Sequence, residues 1–343
     1  MARRSLLFLM SGLWLLVAAP SLAFNPLSAL SGSGGSTEQK IPTQMTLKTD
    51  VGDAFKGAEK VVIGGFKVGF VDYRYAAAQA KGSFLGGGTF GGKSSARIWL
   101  KGISDADRQK ITDMAYANFV EALKKAGYQV VDRKVLEAAS GYGDVPGYAV
   151  PYRDDPMGSN TEISLFVPSN FGKVQFFLAD GGLGVAVPFS TKSMNVIAAE
   201  FANKHPDTKV LAVNFLIDFA ATENYAGRSY ANVGVSDILS VLHGSSVWIY
   251  GGWGGTFSKD NGSIHATSGM VSTDPFGEVA EVTPEINSQV ETAVNVISAF
   301  AGMGTNVSRH YEVKADPDRY TQVSETLLQA AGAQFIEKMV ALR

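Results

Sequence analysis

The sequence predicts a mixed α/β protein: a mixed sheet packed by helices, with long glycine-rich hairpin insertions. Three observations predict it. Lys60 to Val71 is a Val- and Ile-dominated run that reads as a buried strand. Ile111, Met114, Ala115, Phe119, Ala122, Leu123 and Ala126 recur at helical spacing, with Gly127 placed to stop that helix and Tyr128 to Asp132 extended after it. Lys209 to Ala220 is a second strongly apolar strand segment.

In chain order, residues 1–23 read as a secretory signal. Arg3 and Arg4 precede an apolar run from Leu6 to Ala19, and Ser21-Leu22-Ala23 supplies small residues for cleavage after Ala23. The run is shorter than the roughly 20 residues that span a bilayer. Residues 24–40 are Ser- and Gly-rich and read as a flexible linker, so a single α/β domain is expected over 41–343. Asp72 to Ser95 is glycine-dense and poor in large aliphatics, and Ala96 to Leu100 is a short strand. Ser104-Asp105-Ala106-Asp107 resembles a capping box that opens the helix.

Gly141 to Asn160, with Pro146, Pro151 and Pro156, is expected as loop. Ile163–Val167, Val174–Leu178 and Val185–Val187 read as strands, and Thr191 to Lys204 as a helix ending before Pro206. Glu223 to Val235 reads as a hairpin or loop. Val247–Tyr250 and Gly262–Val271 read as strands separated by a Gly-Gly-Trp-Gly-Gly bend. Pro284 to Phe300 and Pro317 to Met339 are expected helices, the second with Tyr320, Val323, Leu327, Ala331 and Phe335 on one face.

Composition narrows the chemistry. The chain has no cysteine, which excludes disulfides, thiolate metal sites and Cys nucleophiles. Loss of the signal removes two arginines and no acid, moving the formal charge from −2 to −4. That balance offers no broad basic field for nucleic acid. Export without disulfides fits a bacterial periplasm or outer membrane.

Gly87 to Ser94 satisfies the phosphate-loop pattern, and Asp218 ends the apolar strand as a magnesium-assisting acid would. The flanking residues argue against it, because such a loop needs a buried strand before it and a helix opening at the Ser. His205, His243, His265 and His310 lack the spacing of a helical zinc site. No Gly-x-Ser-x-Gly elbow is present. Asp154-Asp155 and the Glu278, Glu281 pair read as solvated loop acids. No catalytic residue, cofactor or metal is therefore expected. Trp248, Tyr250 and Trp253, with Tyr225 and Tyr230, are the expected ligand or partner contacts, since aromatic faces beside glycine suit sugars or peptides.

The order of elements from Lys60 onward resembles the curli secretion-channel family. The motif-like part is Gly127-Tyr128-Gln129-Val130-Val131-Asp132-Arg133 with Leu136, and Val210–Phe219, Ser245–Val271 and Tyr320–Met339 follow in matching order. Those channels are lipoproteins anchored through an N-terminal Cys, which this chain lacks, and residues 141–190 form an extra block. The resemblance implies a non-enzymatic role in envelope assembly or secretion, with envelope proteins, and a second copy of the chain, as partners at the outer membrane. The alternative is a periplasmic small-ligand-binding protein with an aromatic pocket near Trp248 and Trp253.

Overall fold

The computed structural model describes residues 44–80, 91–154, 160–188, 190, 192–226, 231–252, 260–284 and 306–343. The expected signal and linker, the first four residues of the phosphate-loop pattern (87–90) and the body of the expected 284–300 helix lie outside these residues.

The N-terminal strands are β1 (Leu47–Asp50), β2 (Lys60–Gln79) and β3 (Lys93–Lys101). Helix α1 (Asp105–Lys125) leads to β4 (Gln129–Val131), β5 (Tyr152–Asp154) and β6 (Thr161–Phe166). Helix α2 (Met194–Lys204) precedes β7 (Thr208–Asp218), β8 (Ala221–Ala226) and β9 (Ala231–Ser236). The short β10 (Ser240–Val241), β11 (Ser246–Tyr250), β12 (Asn261–Ala266) and β13 (Met270–Val271) follow. The last strands, β14 (Gly277–Glu281) and β15 (Asn306–Ala315), precede α3 (Pro317–Leu342).

One mixed sheet runs β1-β12-β11-β7-β2-β3-β15-β14, and β8–β9 forms a separate antiparallel pair. The first half of β2 is central, parallel to β7 from Lys60 to Phe70 and parallel to β4 at Lys60–Val62. A register shift at Ile63/Gly65 and a second at Val71/Tyr73 bend it. Beyond the second, Tyr73–Gln79 pairs with β3 instead of β7.

The helices cover this sheet because side chains alternate across it. On one face Phe66 meets Phe119 of α1 at 5.8 Å and Phe215 of β7 at 5.8 Å, and Phe215 meets Phe335 of α3 at 6.0 Å. The buried α3 stripe is the expected one: Tyr320, Val323, Leu327, Ala331 and Phe335. On the other face Val62, Val210 and Ala212 pack with Phe177 and with Met194, Ile197 and Phe201 of α2.

Helix α1 opens on the expected capping box, Ser104 accepting from the Asp107 N–H while Asp107 accepts from the Ser104 N–H. It closes with Gly127 at φ +86°, the Gly127 N–H bonding to the Lys124 carbonyl and Tyr128 to Leu123. That left-handed closure needs glycine.

The structure corrects several readings. The first long strand does not end at Val71 but runs to Gln79, and the short strand at Ala96–Leu100 extends to Lys93–Lys101. Val174–Leu178 is not a strand. Val174 makes a single bridge to Tyr148, then Leu178–Leu183 turns as a 3-10 helix because the Asp180 carboxylate caps the Phe177 N–H at 2.7 Å. Val185–Val187 is not a strand either, since the turn at Gly184 (φ +79°) directs it away from the sheet. The loop expected over 141–160 contains β5, and β1, β14 and β15 were not anticipated.

Candidate functional site

The expected aromatic contacts divide. Trp248 and Tyr250 lie on β11, facing the side covered by α2. Tyr250 is buried and stacks on Phe177 at 5.3 Å, and its hydroxyl accepts from the Asn195 amide at 3.3 Å. Burial, with the Asp180 charge nearby, pushes its phenol far up, so it is a neutral packing residue. Trp248 is half-buried at the edge of the same cluster. Tyr225 is placed only by its backbone, opposite Asn232 in the β8–β9 pair. Trp253 and Tyr230 lie outside the described residues.

The phosphate-loop reading fails at its far end: Lys93 and Ser94 open strand β3 rather than a helix. Asp218, its imagined magnesium partner, is fully buried and ion-paired with Arg74, whose guanidinium also donates to the Ala220 carbonyl at 3.0 Å. Burial outweighs that pairing and pushes the Asp218 carboxyl up from its ordinary range.

Among the described residues, three buried or half-buried polar clusters stand out. The deepest joins Lys67 of β2 to Asp180 at 2.8 Å, both effectively without solvent exposure, at 1% and 0%. The Asp180 carboxylate also accepts from Asn214 of β7 at 3.0 Å. Residues 177–183 reach the sheet here because Gly64 and Gly65 leave room for Phe177. A Cβ on Gly65 would stand 2.8 Å from the Phe177 ring, and one on Gly64 would stand 2.6 Å from Val210.

The second cluster surrounds the motif-like stretch. Asp132 caps the Lys134 N–H at 2.9 Å and Leu136 is fully buried. Arg133 donates to the Tyr142 hydroxyl at 2.6 Å and stacks on Phe171 with its guanidinium carbon 3.6 Å from the ring centre. Burial pushes Arg133 down from its ordinary value. Val-x-Asp-Arg therefore marks a buried corner: a turn cap, a stacked cation and an apolar plug.

The third cluster sits where β2 leaves the helix-covered body. Arg108 of α1 binds Asp72 at 2.6 Å, Ser164 of β6 donates to the same Asp72 carboxylate, and Arg74 holds Asp218 one step further along β2. Tyr320 of α3 lies against this group, and burial pushes its phenol strongly up.

Past that junction the sheet becomes an arm of β2, β3, β15 and β14. One face is small and buried: Ala76, Ala78, Ser94, Ala96 and Ile98 lie beneath the β8–β9 pair, which supplies Ala221, Ala231 and Val233. The opposite face forms cross-strand rungs, Tyr73–Trp99–Glu312, Tyr75–Arg97–His310, Ala77–Ser95–Ser308 and Gln79–Lys93–Asn306. Sequence reasoning missed this arm. The signal available was the polar alternation of Lys93–Lys101 and Asn306–Ala315, broken by aromatics.

No family model, curated protein or solved structure matches the chain.

Proposed function

We propose that this is an exported, non-enzymatic protein acting in cell-envelope assembly or secretion through protein contacts. Its place is the periplasm or the outer membrane, and its partners are envelope proteins and further copies of itself. The resemblance to curli secretion-channel proteins supports the reading. So does one structural observation: β2 runs 20 residues, far beyond the usual five or six. Its first half is built into the helix-covered body, and its second half founds an arm that carries half-exposed Tyr73, Tyr75 and Trp99. The proposed contact elements are the arm and the hairpin over 223–235.

Fractionation of expressing cells, with native mass measurement of the purified protein, tests this. Recovery as a multi-copy species in the envelope fraction is expected. A soluble monomer overturns it, and so does membrane or partner association left unchanged by deletion of 223–235 in a protein that still folds.

A further inference from the structure

We propose that the polar face of the arm binds an acidic saccharide. The observation is a groove of about 590 Å³ across β2, β3 and β15, lined by Tyr75, Gln79, Lys93, Ser95, Asn306 and Ser308 among others. Its shape follows from the rungs. The Ala77–Ser95–Ser308 rung is a floor of small side chains between two taller rungs. On one side stand Tyr75, Arg97 and His310, backed by Trp99, which lies 5.3 Å from Tyr73 and 5.5 Å from His310. On the other stand Gln79, Lys93 and Asn306. The Arg97 guanidinium donates to His310 Nε2 at 3.2 Å, which holds the wall upright.

This donor set selects a class of ligand. Floor and walls belong to a sheet face whose backbone is engaged in its own ladders, so an extended peptide gains no main-chain pairing here. A sugar ring presents an apolar C–H face and a rim of hydroxyls. Tyr75 offers the aromatic surface, while Ser95 and Gln79 offer hydroxyl and amide groups. Charge narrows the choice further: among the described residues the lining holds Lys93 and no carboxylate, with Arg97 on the adjacent wall. Glu312 stands two rungs behind the floor, beside Trp99. A uronate or phosphate substituent on the sugar is the matching partner. The inference is separate from the envelope reading and holds equally for a soluble monomer.

The test is calorimetric titration of the full mature chain with oligogalacturonate. Neutral maltooligosaccharide of equal length, inorganic phosphate, and vesicles of anionic phospholipid serve as the other arms. Oligogalacturonate is expected to bind. Lys93→Gln is expected to weaken it about tenfold, the loss of one charge-assisted hydrogen bond. Tyr75→Leu is expected to weaken it about threefold to tenfold by removing the aromatic face. Among the described residues Tyr75 is half-buried and Lys93 exposed, and an unchanged melting transition certifies each variant. Three results overturn the proposal: no binding of oligogalacturonate, equal binding of the neutral sugar, or affinity indifferent to both substitutions. Binding of vesicles or phosphate alone, with the same Lys93 dependence, also overturns it and assigns the groove to phosphate rather than to sugar.

Discussion

The two halves of β2 belong to different kinds of structure. From Lys60 to Phe70 the strand pairs with β7 along one edge and with β4 and then β6 at the two ends of the other, and every residue after Lys60 is buried. From Tyr73 to Gln79 it is one strand of an arm, buried on one face beneath β8–β9 and half-exposed on the other. The body is held by large apolar residues and by charges with no access to water. The arm is held by ladder hydrogen bonds, small residues and surface pairs. One strand thus couples a rigid platform to a surface that offers polar and aromatic groups.

The largest effect is expected from the body's buried ion pair. Asp180→Ala leaves the Lys67 ammonium charged in a site with 1% exposure and should cost about 3–5 kcal/mol in urea unfolding. Replacing both partners, Lys67→Met with Asp180→Leu, should recover most of that loss, because the penalty lies in the orphaned charge. If Asp180→Ala alone cost no more than a surface substitution, the contrast between body and arm would collapse. Next in size, Gly65→Val is expected to cost about 1–3 kcal/mol by driving Phe177 off the sheet. The fluorescence of Trp248, at the edge of the same cluster, offers a local reading of that displacement.

The junction gives a pH test whose sign is fixed. Burial raises the folded-state pKa of Asp218 above its unfolded value. Its contribution to stability is therefore full below the unfolded carboxylate range and is lost as pH rises through the folded pKa. Asn at this position does not titrate. The stability of Asp218→Asn relative to the natural protein should accordingly climb from acid to neutral pH, read as the difference between two urea midpoints. A difference that stays flat or falls would mean that Arg74 keeps the carboxylate charged throughout.

The body was legible in the sequence and the arm was not, for a physical reason. Strands buried on both faces are written as continuous Val, Ile, Leu and Phe, so Lys60–Phe70 and Lys209–Ile217 stand out. The α1 caps are local chemistry and are equally readable. Ala76-Ala77-Ala78 carries no strand propensity of its own, and only the close approach of β8–β9 explains why small residues are needed there. Asn306–Ala315 alternates charged and apolar residues because it has one half-exposed face, a weaker mark than an apolar run. Of the expected site residues, Trp248 and Tyr250 were conspicuous as aromatics beside glycine. Nothing in their spacing distinguished a core stack from a ligand platform, and Phe177, the ring that decides it for Tyr250, is remote in sequence.

The smallest expected effect closes the comparison from the arm's side. Arg309 and Glu281 face each other across β15 and β14 at 2.5 Å, with 46% and 40% of their side chains exposed. Partial burial is the largest single influence on the Glu281 carboxyl and pushes it up, but the hydrogen bonds from Arg309 and Thr283 and the Arg309 charge together hold it below its usual range. Water and salt screen such a pair, so Arg309→Ala should cost at most about 1 kcal/mol and less at high ionic strength. Its consequence should be local: faster amide exchange along Gly277–Glu281, with exchange in Lys60–Phe70 unchanged. If the body strand loosened as well, arm and body would form one cooperative unit, and β2 would transmit strain across the bend at Val71/Tyr73 rather than absorb it there.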